Sequence, residues 1–95
     1  MKQEPQSDRR AEPRRPASGI ARLRIAGPLN EGFEATLLDV SAGGFRVRHS
    51  YLRMASGDLV EFTCGGQHGR ARAMWTRILN GVAETGFRIT PNVDD

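Results

Sequence analysis

The stretch that decides the fold is RARAMWTRILNGVAETGFRIT, residues 70–90. Apolar and small residues alternate with polar ones over 82–90, and successive side chains of a β-strand point to opposite faces. Asn80-Gly81 divides the stretch, and Asn-Gly between two such segments is the strongest short-range signal for a tight β-hairpin. The stretch therefore predicts two antiparallel strands, 70–79 and 82–90, joined by a two-residue turn.

Four segments upstream show the same alternation. They are IARLRI (20–25), FEATLLDV (33–40), FRVRH (45–49) and DLVEFTC (58–64). Clusters of glycine and other turn residues separate them, and the connection over 50–58 has room for one helical turn. Six short strands without an amphipathic helix predict an all-β fold, a small six-stranded antiparallel β-barrel, because closure removes exposed sheet edges.

The chain divides into an arm, a barrel and a tail. Residues 1–19 contain three prolines and almost nothing apolar, which predicts a flexible, arginine-rich N-terminal arm. Residues 20–90 supply the six strands of the barrel. Residues 91–95 form a C-terminal tail, so we expect little or no C-terminal helix.

The charge and the cysteine content limit the classes of protein to which this chain can belong. The 95 residues include 14 basic and 11 acidic ones, which gives a formal net charge of +3. This net charge is too small to produce the strongly positive electrostatic field of a dedicated nucleic-acid-binding protein. Cys64 is the single cysteine, which excludes an intrachain disulfide and fits a reducing compartment. No signal-peptide core and no membrane-span-length apolar segment is present, so we expect a cytoplasmic protein without membrane insertion.

Few residues are candidates for catalytic or metal chemistry. Cys64 shares the strand phase of Val60 and Phe62, which favours a buried thiol over a nucleophile. His49 and His68, with one cysteine, form no metal-ligand spacing. We therefore predict no enzyme activity, no metal site and no cofactor.

Two polar segments stand out. DRRAEPRR (8–15) cannot bury itself, and alone it is typical of a solvated tail. DVSAGG (39–44) ends an apolar strand, and its spacing places Asp39 and Ser41 on one side of the chain. The glycines that follow permit close approach to the backbone or a positive φ. Alone, DVSAGG is typical of a side chain–backbone turn.

The two segments have complementary chemistry. Arginine guanidinium groups bind phosphates, base edges and ring faces. A carboxylate accepts hydrogen bonds from the N–H groups of a purine Watson–Crick edge. Guanine, with donors at N1 and N2 and acceptors at O6 and N7, suits both segments.

This pair of segments resembles the PilZ domain, the bacterial receptor module for cyclic di-GMP, over roughly residues 9–90. The family's RxxxR motif matches RAEPR, which begins at Arg10 and ends at Arg14. Its (D/N)xSxxG motif matches DVSAGG, and the strand order that follows is also similar. Both motifs, in order and on the expected elements, are a much stronger signal than either alone.

The resemblance implies a ligand site for cyclic di-GMP. In it, the arginines bind guanine edges or phosphates and close the arm over the ligand, the carboxylate and hydroxyl bind a guanine, and the glycines leave room. The implied residues are Arg9, Arg10, Arg14, Asp39, Ser41, Gly43, Gly44 and Trp75. Trp75 matches a position where some family members stack a residue on guanine. It also fits a core residue, because it shares the phase of Ala71 and Ala73.

Three functions remain open from the sequence. The first is a non-enzymatic receptor that binds cyclic di-GMP and signals through the arm to an unidentified downstream protein, as a monomer or weak dimer. The second is a basic β-barrel that binds nucleic acid, which is less favoured because the phenylalanines fall in the apolar phase. The third is a PilZ-type adaptor that acts through protein contacts without a ligand.

Overall fold

A computed structural model describes residues 15–27 and 31–91, which form seven β-strands and no helix. The strands are β1 (Arg15–Pro16), β2 (Ile20–Ile25), β3 (Gly32–Ser41), β4 (Gly44–His49), β5 (Leu59–Cys64), β6 (Gln67–Leu79) and β7 (Val82–Ile89). All pairings between them are antiparallel. In the described part of the chain, then, nothing resembles a membrane-spanning helix.

Six of the strands close into a barrel. They follow the order β3-β2-β5-β6-β7-β4, and β4 pairs back onto β3 to complete the ring. Each of the six therefore has a hydrogen-bonded neighbour on both sides. The predicted all-β class and the six-stranded antiparallel barrel are confirmed.

β1 is an additional strand that the sequence pattern did not predict. It pairs with β3 through Arg15 opposite Val40 and Pro16 opposite Asp39. Between β1 and β2, the Ala17 amide donates to the Leu38 carbonyl at 3.1 Å, and Gly19 accepts from Leu37 at 2.9 Å. Residues 15–19, part of the predicted arm, thus run along the same edge of β3 as β2 does. Residues 1–14 lie outside the described residues.

The barrel interior is filled by inward-facing residues of every strand from β2 to β7. Alternation supplies them, because each residue of a strand that faces inward is followed by one that faces outward. The Phe45 ring lies 4.9 Å from Phe62 and 5.2 Å from Phe87 between centroids, and these three rings occupy the centre. Met54, in the connection over 50–58, belongs to the same buried core although that connection forms turns and no helix.

Two of the hairpin turns have positive backbone φ angles, which their residues favour. Asn80 and Gly81 have φ of 56° and 77°, which the two-residue turn between β6 and β7 requires. Gly65 and Gly66 have φ of 57° and 83° between β5 and β6. The predicted Asn80-Gly81 hairpin is confirmed, while β6 starts at Gln67 rather than at residue 70 because the two glycines alone make the other turn.

Candidate functional site

Two β-bulges decide which motif side chains reach the outer surface. The pairing of β3 with β4 shifts between Leu37 and Asp39, and the pairing of β6 with β7 shifts between Ala73 and Trp75. A bulge inserts one extra residue into a strand, so every later residue changes face relative to simple alternation. Asp39 and Trp75 consequently leave the inward phase of the residues before them.

The bulges bring Asp39 and Trp75 into one row across the barrel. Asp39 pairs with Arg46 on β4, Arg46 with Gly86 on β7, and Gly86 with Trp75 on β6. Pro16 of β1 extends the row on the other side of Asp39. Directly paired residues of antiparallel strands point to the same face, and here that face is the outside of the barrel.

Asp39 is buried despite facing outward, and Arg46 covers it. The Arg46 Nε donates to Oδ2 of Asp39 at 2.9 Å, and Nη2 lies 2.7 Å from the same oxygen. Only 7% of Asp39 is exposed. A charge-assisted pair of this geometry fixes the carboxylate in position. Asp39 is therefore a pre-oriented acceptor that lies beneath Arg46 in the row.

Ser41 lies one outward position further along β3 than Asp39. Its pairing partner is Gly44, and its hydroxyl donates weakly to the Gly44 carbonyl at 3.5 Å. Asp39 and Ser41 thus face the same side, and Ser41 also makes the local side chain–backbone contact that such a sequence favours. The row of Ser41 and the row of Asp39 are adjacent.

The two motif glycines, Gly43 and Gly44, both contact the backbone of β7. The Gly43 carbonyl accepts from the Ile89 amide at 2.8 Å. A Cβ added at Gly44 would overlap the Phe87 carbonyl oxygen. Neither glycine has a positive φ. The sequence suggested that these glycines allow either a close approach to the backbone or a positive φ. Gly44 allows a close approach, and the group that approaches it is the backbone of β7.

Trp75 lies on the surface, supported from beneath by Gly86. The residue is 41% exposed, so the interpretation of Trp75 as a core residue is wrong. A Cβ on Gly86 would lie only 2.5 Å from Nε1 and 2.6 Å from Cε2 of the indole. The bulge before Trp75 explains the difference, because it removes Trp75 from the phase of Ala71 and Ala73.

One carboxylate, that of Glu84 on the row next to that of Asp39 and Trp75, contacts three arginines. Glu84 of β7 lies 2.9 Å from Arg77, 3.4 Å from Arg48 and 3.9 Å from Arg46. The hydrogen bond from Arg77 is the largest of the causes that hold the pKa of Glu84 below its usual range. Arg46 therefore lies between two carboxylates, and its position depends on both.

Arg46 and Glu84 were not among the predicted site residues. Alternation places Arg46 on the outer face, but only the strand register shows that it is opposite Asp39. The separation of 36 residues between Arg48 and Glu84 gives no local signal for their pairing.

The other titratable candidates lie away from this surface. His49 is buried and its Nε2 lies 2.7 Å from the Thr85 hydroxyl. Burial raises the pKa of the Cys64 thiol, which disfavours the thiolate. No group of histidine, cysteine, aspartate or glutamate suited to a metal ion occurs among residues 15–27 and 31–91.

Of the predicted ligand residues, Asp39, Ser41, Gly44 and Trp75 come together on adjacent rows of one face, and Gly43 lies in the turn that joins Ser41 to Gly44. Arg9, Arg10 and Arg14 lie outside the described residues. Arg15, the neighbour of Arg14, is fixed opposite Val40, next to Asp39 and Ser41.

Comparison with known proteins assigns the family. The family model of the PilZ domain matches residues 8–95, nearly the whole chain and both sequence motifs. A search of the curated proteins found no match. The match, the barrel and the motif residues agree, and the chain belongs to the PilZ domain family, the bacterial receptors of cyclic di-GMP.

Proposed function

We propose that this protein is a non-enzymatic receptor for cyclic di-GMP that signals to a partner protein through its N-terminal arm. One observation carries the proposal. Two bulges at the same level of the barrel turn Asp39 and Trp75 onto one outer row, beside Ser41. Bulges are over-represented next to functional sites because they re-aim a side chain.

The row offers the groups that a guanine needs. The Asp39 carboxylate, held by Arg46, accepts from the guanine N1 and N2 donors, and the Ser41 hydroxyl adds a second polar contact. The exposed face of Trp75 stacks on a guanine, because its other face rests on Gly86. Asp39 is positioned before the ligand arrives, so little ordering of that side chain opposes binding.

The N-terminal arm contacts the ligand from the side opposite the barrel. Arg10 is five residues from Arg15 in the sequence, a span of at most about 18 Å. Both arginines of RxxxR are therefore within reach of a ligand bound on the row. Their charge-assisted bonds to phosphates and guanine edges offset the entropy lost when the arm is fixed. The position of the arm over the barrel is then the signal to the partner.

A calorimetric titration with cyclic di-GMP tests this function. We expect micromolar or tighter binding, with a stoichiometry that distinguishes one nucleotide from a stacked pair. Asp39→Ala and the double variant Arg10→Ala/Arg14→Ala are expected to weaken binding by about 10-fold or more. Glu34→Ala, on β3 but near its other end, is the control and is expected to bind as the wild type does.

The alternatives give different results. The nucleic-acid function needs several aromatic side chains on a basic face, whereas Phe45, Phe62 and Phe87 are buried in the core and Trp75 is the one phenylalanine, tyrosine or tryptophan of 15–27 and 31–91 that is exposed. Salt-sensitive binding of arbitrary oligonucleotides, unchanged by Asp39→Ala, would support it. An adaptor that works without a ligand would give no binding heat and no thermal shift with cyclic di-GMP.

A further inference from the structure

A row of the barrel next to Asp39 carries two arginines directly opposite each other. Arg72 of β6 pairs with Arg88 of β7, Arg88 pairs with Gly44 of β4, and Gly44 pairs with Ser41 of β3. Both arginines are exposed on the outer face. This row lies beside the row of Asp39 and Trp75, on the side of Ser41.

The opposition of Arg72 and Arg88 is electrostatically unfavourable in the free protein. Like charges directly opposite each other in an antiparallel pair are destabilising. Arginines on the next two rows have carboxylate partners: Arg46 contacts Asp39 on the first, and Arg77 contacts Glu84 on the second. Within residues 15–27 and 31–91, neither Arg72 nor Arg88 forms an ion pair. An anion between the two guanidinium groups removes the repulsion.

The Arg72 side chain makes one hydrogen bond to the turn that precedes β5. Its Nη1 donates to the Gly57 carbonyl at 3.0 Å, which leaves the remaining N–H groups of its fork for a ligand. Arg88 has only Gly44 between itself and Ser41, so no side chain separates it from the motif. The distance across β4 from Arg88 to Ser41 is about 10 Å between strands.

The two rows match the geometry of a nucleotide. Arg72 pairs with Arg88 and Trp75 pairs with Gly86, so the two rows are two residues apart along β7, while the exposed bulge residue Met74 lies between Arg72 and Trp75 on β6. Adjacent outward positions on a strand are about 7 Å apart. A base stacked on Trp75 therefore has its phosphate within reach of the Arg72–Arg88 pair.

The geometry points to Arg88 and Arg72 as a phosphate-binding pair for a phosphodiester of the bound cyclic dinucleotide, additional to the arginines of the arm. This inference rests on the proposed function and names a further part of the same site. Arginine suits the task because its planar fork binds two phosphate oxygens at once. Occupancy of the pair by phosphate also anchors the ligand to the barrel independently of the arm.

Calorimetry with matched arginine variants tests the pair. Arg88→Ala is expected to weaken cyclic di-GMP binding by about 10- to 100-fold. Arg88→Lys is expected to give an intermediate loss, because it keeps the charge and loses the fork. The control is Arg24→Ala, which removes the same charge opposite Gly32, the residue at the far end of β3 from Ser41. Its affinity should stay within about twofold of the wild type.

Thermal unfolding without ligand separates binding from structure. Arg88→Ala should unfold at the same temperature as the wild type or higher, since it removes one of two like charges at directly paired positions. Wild-type affinity in Arg88→Ala, or an equal loss in Arg24→Ala, would overturn the inference while leaving the proposed function intact.

If the wild-type protein does not bind cyclic di-GMP, a second ligand still tests whether Arg72 and Arg88 bind an anion. Inorganic pyrophosphate is titrated into the labelled wild-type protein, and the Nε–H resonances of the arginines are followed by NMR. Shifts of Arg72 and Arg88 together, without Arg24, would support an anion site although the proposed function had failed. Unchanged Arg72 and Arg88 resonances would overturn the anion site as well.

Discussion

At the scale of single residues, Gly86 sets the orientation of Trp75. Strand residues next to a large side chain normally bury it by packing side chain against side chain, whereas here the indole rests on a bare backbone. The result is an aromatic ring with one supported face and one exposed face. Such a surface can stack on a base without first rearranging.

We predict that Gly86→Ala displaces Trp75. A Cβ at position 86 would lie 2.5 Å from the indole Nε1, so the ring must move. Trp75 is the single tryptophan, and its fluorescence emission should therefore shift. Cyclic di-GMP affinity should fall by about 10-fold, the cost of one lost stacking contact. Gly32→Ala is the control, because its Cβ would make an ordinary 3.5 Å contact. An unchanged emission spectrum in Gly86→Ala would contradict the prediction.

At the scale of strands, alternation and turn residues predicted most of the fold, and the bulges account for what they missed. Asn80-Gly81 and the alternation over 82–90 correctly predicted the last hairpin, since both signals are local. The extra residues at Leu38 and Met74 have no comparable signal, because whether a strand bulges depends on its partner's register. The outward position of Trp75 could therefore not be derived from the sequence, and neither could the pairing of Asp39 with Arg46.

β1 was missed for a related reason. Pro16 lacks an N–H, and two residues are too few to show alternation. Its pairing depends on β3 presenting Asp39 and Val40 beyond the end of β2. Only the three-dimensional arrangement supplies that edge.

The close approach of β4 and β7 makes Gly44 a structural residue as well as a motif residue. We predict that Gly44→Ala lowers the free energy of unfolding by about 1–3 kcal/mol, because the added Cβ would overlap the Phe87 carbonyl and a backbone atom cannot turn aside. Chemical denaturation measures the change. The same measurement on Gly32→Ala should show a much smaller loss, and comparable losses in both variants would contradict the role of the strand contact.

At the scale of the whole molecule, a buried histidine links stability to pH. The Tyr51 amide donates to Nδ1 of His49 at 3.1 Å, so Nε2 carries the proton and donates to Thr85. Thr85 in turn lies 2.8 Å from the Thr76 hydroxyl, and this chain joins three strands of the barrel. Burial lowers the pKa of His49, and protonation of Nδ1 would also break the bond from Tyr51.

We predict that the protein loses stability as the pH falls below about 6.5. The pKa of His49 is lowered from 6.5 in the folded state, so the unfolded chain binds the proton first and unfolding becomes more favourable. The loss should level off once the pH is below the folded-state pKa. Denaturation curves across this range measure it, and NMR titration of His49 reports its pKa directly.

Two features separate this effect from others. Glu84 also has a lowered pKa, but its contribution disappears only below its ordinary value of 4.5. The exposed His68 offers a control: His68→Gln should keep the loss of stability between neutral pH and the acid range, whereas His49→Gln should reduce it. Identical pH profiles for the wild type and His49→Gln would contradict the role of His49.

The short ladder between β1 and β3 has a mechanical consequence. Arg15 and Pro16 run antiparallel to β3, and the Ala17 and Gly19 bonds continue the ladder toward β2. A pull on the chain before Arg15, directed along β3, loads these few bonds in shear, immediately beside Asp39, before any force reaches the core. A ligand bound across these hydrogen bonds would strengthen them, so forced unfolding should begin at the proposed binding site and should need a higher force when a ligand is bound there.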